Sequence, residues 1–218
     1  ASAAGGIEPG TRIGAVETGG WERRKVQTRV ALAEAAVRLF SEHGYEATTV
    51  EDIARAAHSS PRTFFRYFGT KEDVLFLNMA EIQDRFRDFL RERIPGLTCW
   101  EQIHLGINMA IRQVAEPSPE VREYSIRSWL AEPAVSGRFH KLVDQMEKNM
   151  ANALAAERGV DADHDLHVQL AARAATAIYT TAFHLHVHTG KDLCHLVDQG
   201  FAVAAKSFAD GPSAARGA

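Results

Sequence analysis

TTVEDIARAAHSSPRTFFRYFGTK, residues 48–71, holds two short amphipathic segments on either side of a polar turn at His58-Ser59. Thr48 and Thr49 are each followed three residues later by an acid, Glu51 and Asp52. Two overlapping capping arrangements can therefore open a helix here. Val50, Ile53, Ala54 and Ala57 give that helix an inward face. Phe64 and Phe68, four residues apart, supply the buried stripe of a helix over about 60–68.

Periodicity on both sides of this stretch is also helical. Val26, Val30, Ala33, Val37 and Phe40 recur at steps of three and four, and Gly44 closes their helix. Downstream, the pattern predicts a long fourth helix from Lys71 to Ile94, stopped by Pro95-Gly96. Thr98-x-x-Glu101 caps a fifth, with Trp100, Ile103, Ile107, Ile111 and Val114 as its stripe; Pro117 ends it. Ser118-Pro119 opens a sixth, a seventh covers about 135–158 before Gly159, and the last two cover about 163–189 and 192–209. The expected fold class is all-α with about nine helices: a three-helix helix-turn-helix domain over 21–70 and a larger helical domain over 71–210. Residues 1–20, with six glycines, and 211–218 are expected to be flexible tails.

The net charge is −3, but its distribution is uneven. Residues 21–75 carry nine Lys/Arg against eight Asp/Glu, and the remainder carries the acidic excess. Within that segment, 23–33 and 53–71 each hold four basic residues and no acid. Such patches matter locally, because screening limits exposed charges to a range of about 8–10 Å. No apolar run approaches the ~20 residues of a membrane helix. The start, residues 1–6, lacks the basic and apolar regions of a signal peptide, and Cys99 and Cys194 form no short-spaced motif. The expectation is a cytoplasmic protein with reduced thiols and no membrane partner.

Thr49-x-x-x-Ile53-Ala54-x-x-Ala57, then Ser60-Pro61-Arg62-Thr63-Phe64-Phe65-Arg66-Tyr67-Phe68, then Lys71-Glu72-x-x-Leu75, resembles the TetR family of bacterial regulators. The Ser60–Phe68 string is especially similar to actinobacterial members. The motif resemblance covers about 26–76. It implies a dimeric, one-component transcriptional regulator whose third helix enters the major groove of double-stranded operator DNA. On that reading, Ser60, Pro61, Arg62 and Thr63 form the turn facing base edges, with Arg62 pairing bidentately with guanine. Thr48 or Thr49 offers a hydroxyl and free N–H groups to a phosphate. Arg66, Tyr67 and Lys71 grip the backbone, and Phe65 meets sugar or a thymine methyl. Arg23, Arg24 and Lys25 track phosphate or reach the minor groove. The family usually has Gly then Val at the turn, where His58 and Ser59 stand here. That turn favours positive φ, which His adopts at a cost.

Residues 76–210 show no nucleotide-binding glycine loop and no Gly-x-Ser-x-Gly, and no enzyme activity or cofactor is expected. The resemblance implies an effector pocket among the fourth to eighth helices. Phe86, Phe89, Trp100, Met109, Trp129, Phe139, Met146, Tyr179 and Phe183 are its candidate lining for a small hydrophobic molecule. His184-x-His186-x-His188 suggests a metal tract, yet only His184 and His188 share a helix face, and no metal site is expected. The eighth and ninth helices are apolar on more faces than one core covers, and the resemblance implies a homodimer through them. The expected function is a repressor released from a palindromic operator by effector. The alternatives are an effector-independent DNA-binding dimer with a packed core, and a helical metalloenzyme.

Overall fold

Helix α1, Gly20–His43, is the support on which the N-terminal unit is built; Leu32, Ala36 and Phe40 are buried along one face. The computed structural model describes residues 20–114 and 118–209, so all but Gly20 of the tail expected over 1–20, the tail expected over 211–218 and the stop at Pro117 lie outside the described residues. Gly44, at φ +87, ends α1 in the left-handed region that glycine adopts without penalty. Helices α2, Val50–Ala56, and α3, Pro61–Tyr67, complete the unit. Ile53, Phe64 and Phe68 are buried in its core.

The predicted long fourth helix is corrected to two elements. Lys71–Phe76 is a 3₁₀ helix, and α4 begins only at Met79 and runs to Arg91. Val74, Leu75, Phe76 and Leu77 are all buried. At ~100° per residue, no single α-helical face can hide four consecutive side chains. The chain turns instead at Asn78, whose φ of 61° lies in the left-handed region.

Helices α5 (Cys99–Val114), α6 (Pro119–Ala131), α7 (Pro133–Arg158), α8 (Leu166–Thr189) and α9 (Leu193–Ala209) form the larger domain. Among the described residues there are nine α-helices, one 3₁₀ helix and no strand. No described helix is long and apolar enough to cross a membrane. α4 packs on α5 and α7, α7 on α8, and α8 on α9, while α6 bridges to α1 and the 3₁₀ helix. Two close approaches set this geometry. Gly106 lets Phe86 and Phe89 of α4 lie against the α5 backbone, where a Cβ would stand 3.0 Å from each ring. A Cβ on Gly200 of α9 would stand 2.5 Å from Ile178 Cγ2 of α8, so that crossing requires glycine. Gln102, fully buried, donates from Nε2 to the carbonyls of Phe89 and Glu92 at 2.6 and 2.7 Å, satisfying the end of α4.

The two domains meet at the 3₁₀ helix. Trp129 of α6, 1% exposed, donates its indole N–H to the carbonyl of Leu75 at 3.0 Å and stacks on Phe76. Lys71 Nζ donates to the carbonyls of Tyr45 and Thr48 at 2.7 and 3.1 Å and sits over the Tyr45 ring. The Tyr45 hydroxyl donates to Glu72 at 2.5 Å. Arg138 of α7 pairs with Asp73, whose carboxylate also accepts from the Gly69 and Thr70 amides. The 3₁₀ helix is thus tied on one side to the loop before α2 and on the other to α6 and α7.

Candidate nucleic-acid interface and effector cavity

At the start of α2, Thr49 and Asp52 are the pair that forms the capping box. The Asp52 amide donates to Thr49 Oγ1 at 3.2 Å, and the Thr49 amide donates to Asp52 Oδ2 at 3.3 Å. The Thr49 hydroxyl and amide, followed by Arg55, hold the Asp52 carboxyl below its ordinary range. Thr48 is 3% exposed, and its hydroxyl donates to the Gly44 carbonyl at 2.9 Å. Of the two threonines expected to meet phosphate, Thr49 is at the surface and Thr48 is turned inward.

The turn closes through the Ser59 amide, which donates to the Ala54 carbonyl at 2.8 Å. His58 has φ +50°, the left-handed geometry expected where the family places glycine. Ser60 then caps α3, accepting from the Thr63 amide at 3.1 Å while the two hydroxyls lie 3.0 Å apart. With Phe64 directed inward, the opposite face of α3 presents Arg62, Phe65 and Arg66, all exposed. Arg62 makes no hydrogen bond or ion pair among the described residues. Arg66 donates to the Tyr67 hydroxyl at 3.2 Å and lies over its ring, and Phe65 exposes 55% of its surface. Arg23 and Arg24 are exposed on the first turns of α1, and Lys25 is half-buried beside them. Lys71 occupies the domain joint, with its amine on two carbonyls.

The nine aromatic and methionine candidates for an effector pocket do not surround one space. Trp129, Phe139 and Phe183 pack on one another at ring separations of 5.4 to 6.0 Å, and Tyr179 adds to Phe183 at 4.6 Å. Met146 is buried with them in the core. Phe86, Phe89 and Met109 border only a ~20 Å³ crevice between α4 and α5. Trp100 lies apart, against Phe201. The open space beside the aromatic cluster is a ~340 Å³ cavity bordered by Ile126 and Phe183, and its other walls are residues the sequence reading missed. These include Arg112, Arg122, His186 and Cys194.

The histidines make local bonds. His184 Nδ1 lies 2.8 Å from the Thr180 carbonyl, and His186 Nδ1 lies 2.7 Å from the Lys191 carbonyl. Among the described residues no three His, Cys, Asp or Glu side chains converge to hold a metal. Both cysteines are free and buried, and burial pushes the Cys99 thiol up to about 11.

A capped recognition helix with an exposed arginine, behind a support helix, defines a helix-turn-helix DNA-binding regulator. Comparison with known proteins narrows the class. Residues 32–76 match the family model described as bacterial regulatory proteins, tetR family, and residues 107–209 match the model of the MftR C-terminal domain. The chain is 30% identical over 162 residues to the transcriptional regulator TcmR of Streptomyces glaucescens, covering 72% of each protein. It is similar in fold to a TetR-family regulator from Syntrophomonas wolfei, with TM-score 0.64, 17% identity, and coverage of 88% of this chain and 99% of that one. Thermus thermophilus FadR, a repressor solved in complex with lauroyl-CoA, gives TM-score 0.52 at 22% identity over 87% of this chain and 100% of that one. The chain belongs to the TetR family of transcriptional regulators.

Proposed function

We propose that this regulator is a ligand-gated repressor: a cytoplasmic homodimer that holds a near-palindromic operator until a small hydrophobic effector enters its C-terminal domain. Arg62 carries the DNA half of this reading. It is an exposed guanidinium with no partner among the described residues, on the first turn of α3. Ser60, Pro61, Thr63 and Phe65 flank it at the base edges, while Thr49, Arg24, Lys25, Arg66 and Tyr67 take phosphate and sugar. Thr48 and Lys71 serve by positioning: their polar atoms fasten the loop before α2 to the joint.

Dimerisation through α8 and α9 is supported by the exposed side chains of Leu166, Leu170, Leu185 and Val203 on these packed helices. A two-fold dimer would set its recognition helices about one DNA turn apart, ~34–36 Å. The effector half rests on the ~340 Å³ cavity. Its walls Ile126 and Phe183 adjoin Trp129, which holds the joint at Leu75. The lauroyl-CoA bound by FadR is a precedent on a similar fold for an acyl effector. An effector can shift the equilibrium only by its preference for one state, typically ~1–3 kcal/mol.

Selection of bound DNA from a random pool tests the reading; recovery of inverted half-sites is expected, and a sequence-neutral pool would refute it. The packed Trp129–Phe139–Phe183 cluster favours the second reading, an effector-independent dimer. Operator affinity unchanged across a broad ligand screen would select that reading.

A further inference from the structure

We propose that the cavity bounded by α5, α6, α8 and α9 takes an amphipathic anion, with a carboxylate or phosphate head at Arg112 and Arg122 and a tail along Val114, Ile126 and Phe183. This names the effector class of the gated regulator above and rests on that reading. The cavity, at ~340 Å³, lies within the ~300–1,000 Å³ range of ligand sites. It has an apolar wall and a charged wall, and the charged wall has donors to spare.

The charged and titratable groups facing it are Arg112 on α5, Arg122 on α6, His186 on α8, and Asp192 and Cys194 at the start of α9. Asp192 is committed to capping α9, accepting from the His195 amide at 2.8 Å. Outside the lining, Glu123 is shared between Arg122 Nη2 at 3.1 Å and His186 Nε2 at 3.3 Å. Arg112 makes no hydrogen bond or ion pair among the described residues. Burial pushes the Cys194 thiol up, as do the carboxylates of Asp192 and Asp198, while the charges of Arg112 and Arg122 pull it back. Two guanidiniums from different helices therefore act on the same stretch of cavity wall. Guanidiniums so placed suit a planar or tetrahedral oxyanion, which they can bind through paired N–H groups.

The larger cleft between α4 and α7, ~630 Å³, also carries arginines, but there they are already paired. Arg87 holds Asp84 and Asp88, and Arg93 holds Glu157. Arg112, with no such partner among the described residues, sets the α5–α6–α8–α9 cavity apart as the anion site.

The test is calorimetric titration of the full chain with four ten-carbon probes: decanoate, decyl phosphate, 1-decanol and decyltrimethylammonium. Decanoate or decyl phosphate should bind at least tenfold more tightly than decanol, and the cation should not bind. Arg112→Gln and Arg122→Gln should each weaken the anion tenfold or more while leaving decanol unchanged. Arg112 is exposed, so its variant keeps the fold even if Arg122→Gln does not. Equal binding of decanol and the anions, or unchanged anion affinity in Arg112→Gln, would overturn the proposal. Operator binding followed in parallel separates the two readings. An anion that binds without releasing operator refutes gating but supports the site; release by decanol with no preference for an anion refutes the site and keeps gating.

Discussion

The proposed readout of DNA turns on Arg62, exposed on the first turn of α3. Arg62→Ala should cost ~1–3 kcal/mol on the preferred sequence and relax the choice at one base position, read by repeating the pool selection. Equal weakening on all sequences would make it a phosphate contact. His58 lies in the left-handed region, which costs a non-glycine residue roughly 1–2 kcal/mol. His58→Gly should recover about 0.5–1 kcal/mol in denaturant unfolding after the extra backbone entropy of glycine. Tyr45 and Glu72 make a prediction about acid. Burial alone would raise the Glu72 carboxyl, but the Tyr45 hydroxyl, local backbone bonds and Lys71 bring it below its ordinary range. A carboxyl held lower in the folded state adds stability above the unfolded value, and that stability is lost as pH falls through the lowered one. Tyr45→Phe should therefore flatten the acid limb of a stability–pH curve. Because burial and Glu72 hold the Tyr45 hydroxyl above its ordinary range, the variant should also lose less stability as pH rises through the usual tyrosine range.

At the level of elements, Asn78 is the position to test. It supports the bend between the 3₁₀ helix and α4 at φ 61°, where Ala is disfavoured. Asn78→Ala should destabilise by about 1 kcal/mol and Asn78→Gly by less, measured as a shift of the denaturant midpoint. Opposite ranking would mean the bend is not fixed by its backbone. The helix-turn-helix was legible in the sequence because its determinants are local: Thr49 with Asp52, Phe64 with Phe68, and a turn residue tolerant of positive φ. The break at Leu77-Asn78 was not, because it depends on neighbours far along the chain. Val74 to Leu77 bury all four side chains only because α1, α6 and α7 surround them. Four successive apolar residues after a capped start were the one available warning. The lining of the cavity was missed for a similar reason. Trp129, Phe139 and Phe183 have the right chemistry for a pocket, but they fill space by stacking, and the cavity opens beside them where Arg112 and Arg122 stand.

Over the whole molecule, the α8–α9 pair and the joint make separate predictions. A Cβ on Gly200 would meet Ile178 at 2.5 Å, so Gly200→Ala should lower stability by ~1–3 kcal/mol, the usual cost of overpacking. Val203 is exposed, so Val203→Glu should leave the monomer fold intact and shift the sedimentation profile towards monomer. A dimer unaffected by that charge would exclude this face. Loss of the dimer should also remove most operator affinity, because each protomer then reads only one half-site.

Trp129 also gives the joint an optical signal. The chain has three tryptophans, and Trp129 is held inside the domain joint, its indole N–H on Leu75 and its ring between Phe76 and Phe139. Indole emission depends on the polarity and hydrogen bonding around the ring. In a variant carrying Trp21→Phe and Trp100→Phe, the remaining emission would come from the contact between α6 and the 3₁₀ helix at the domain joint. Stopped-flow mixing with effector, and separately with operator, would then time the two arms of the switch through a single native chromophore.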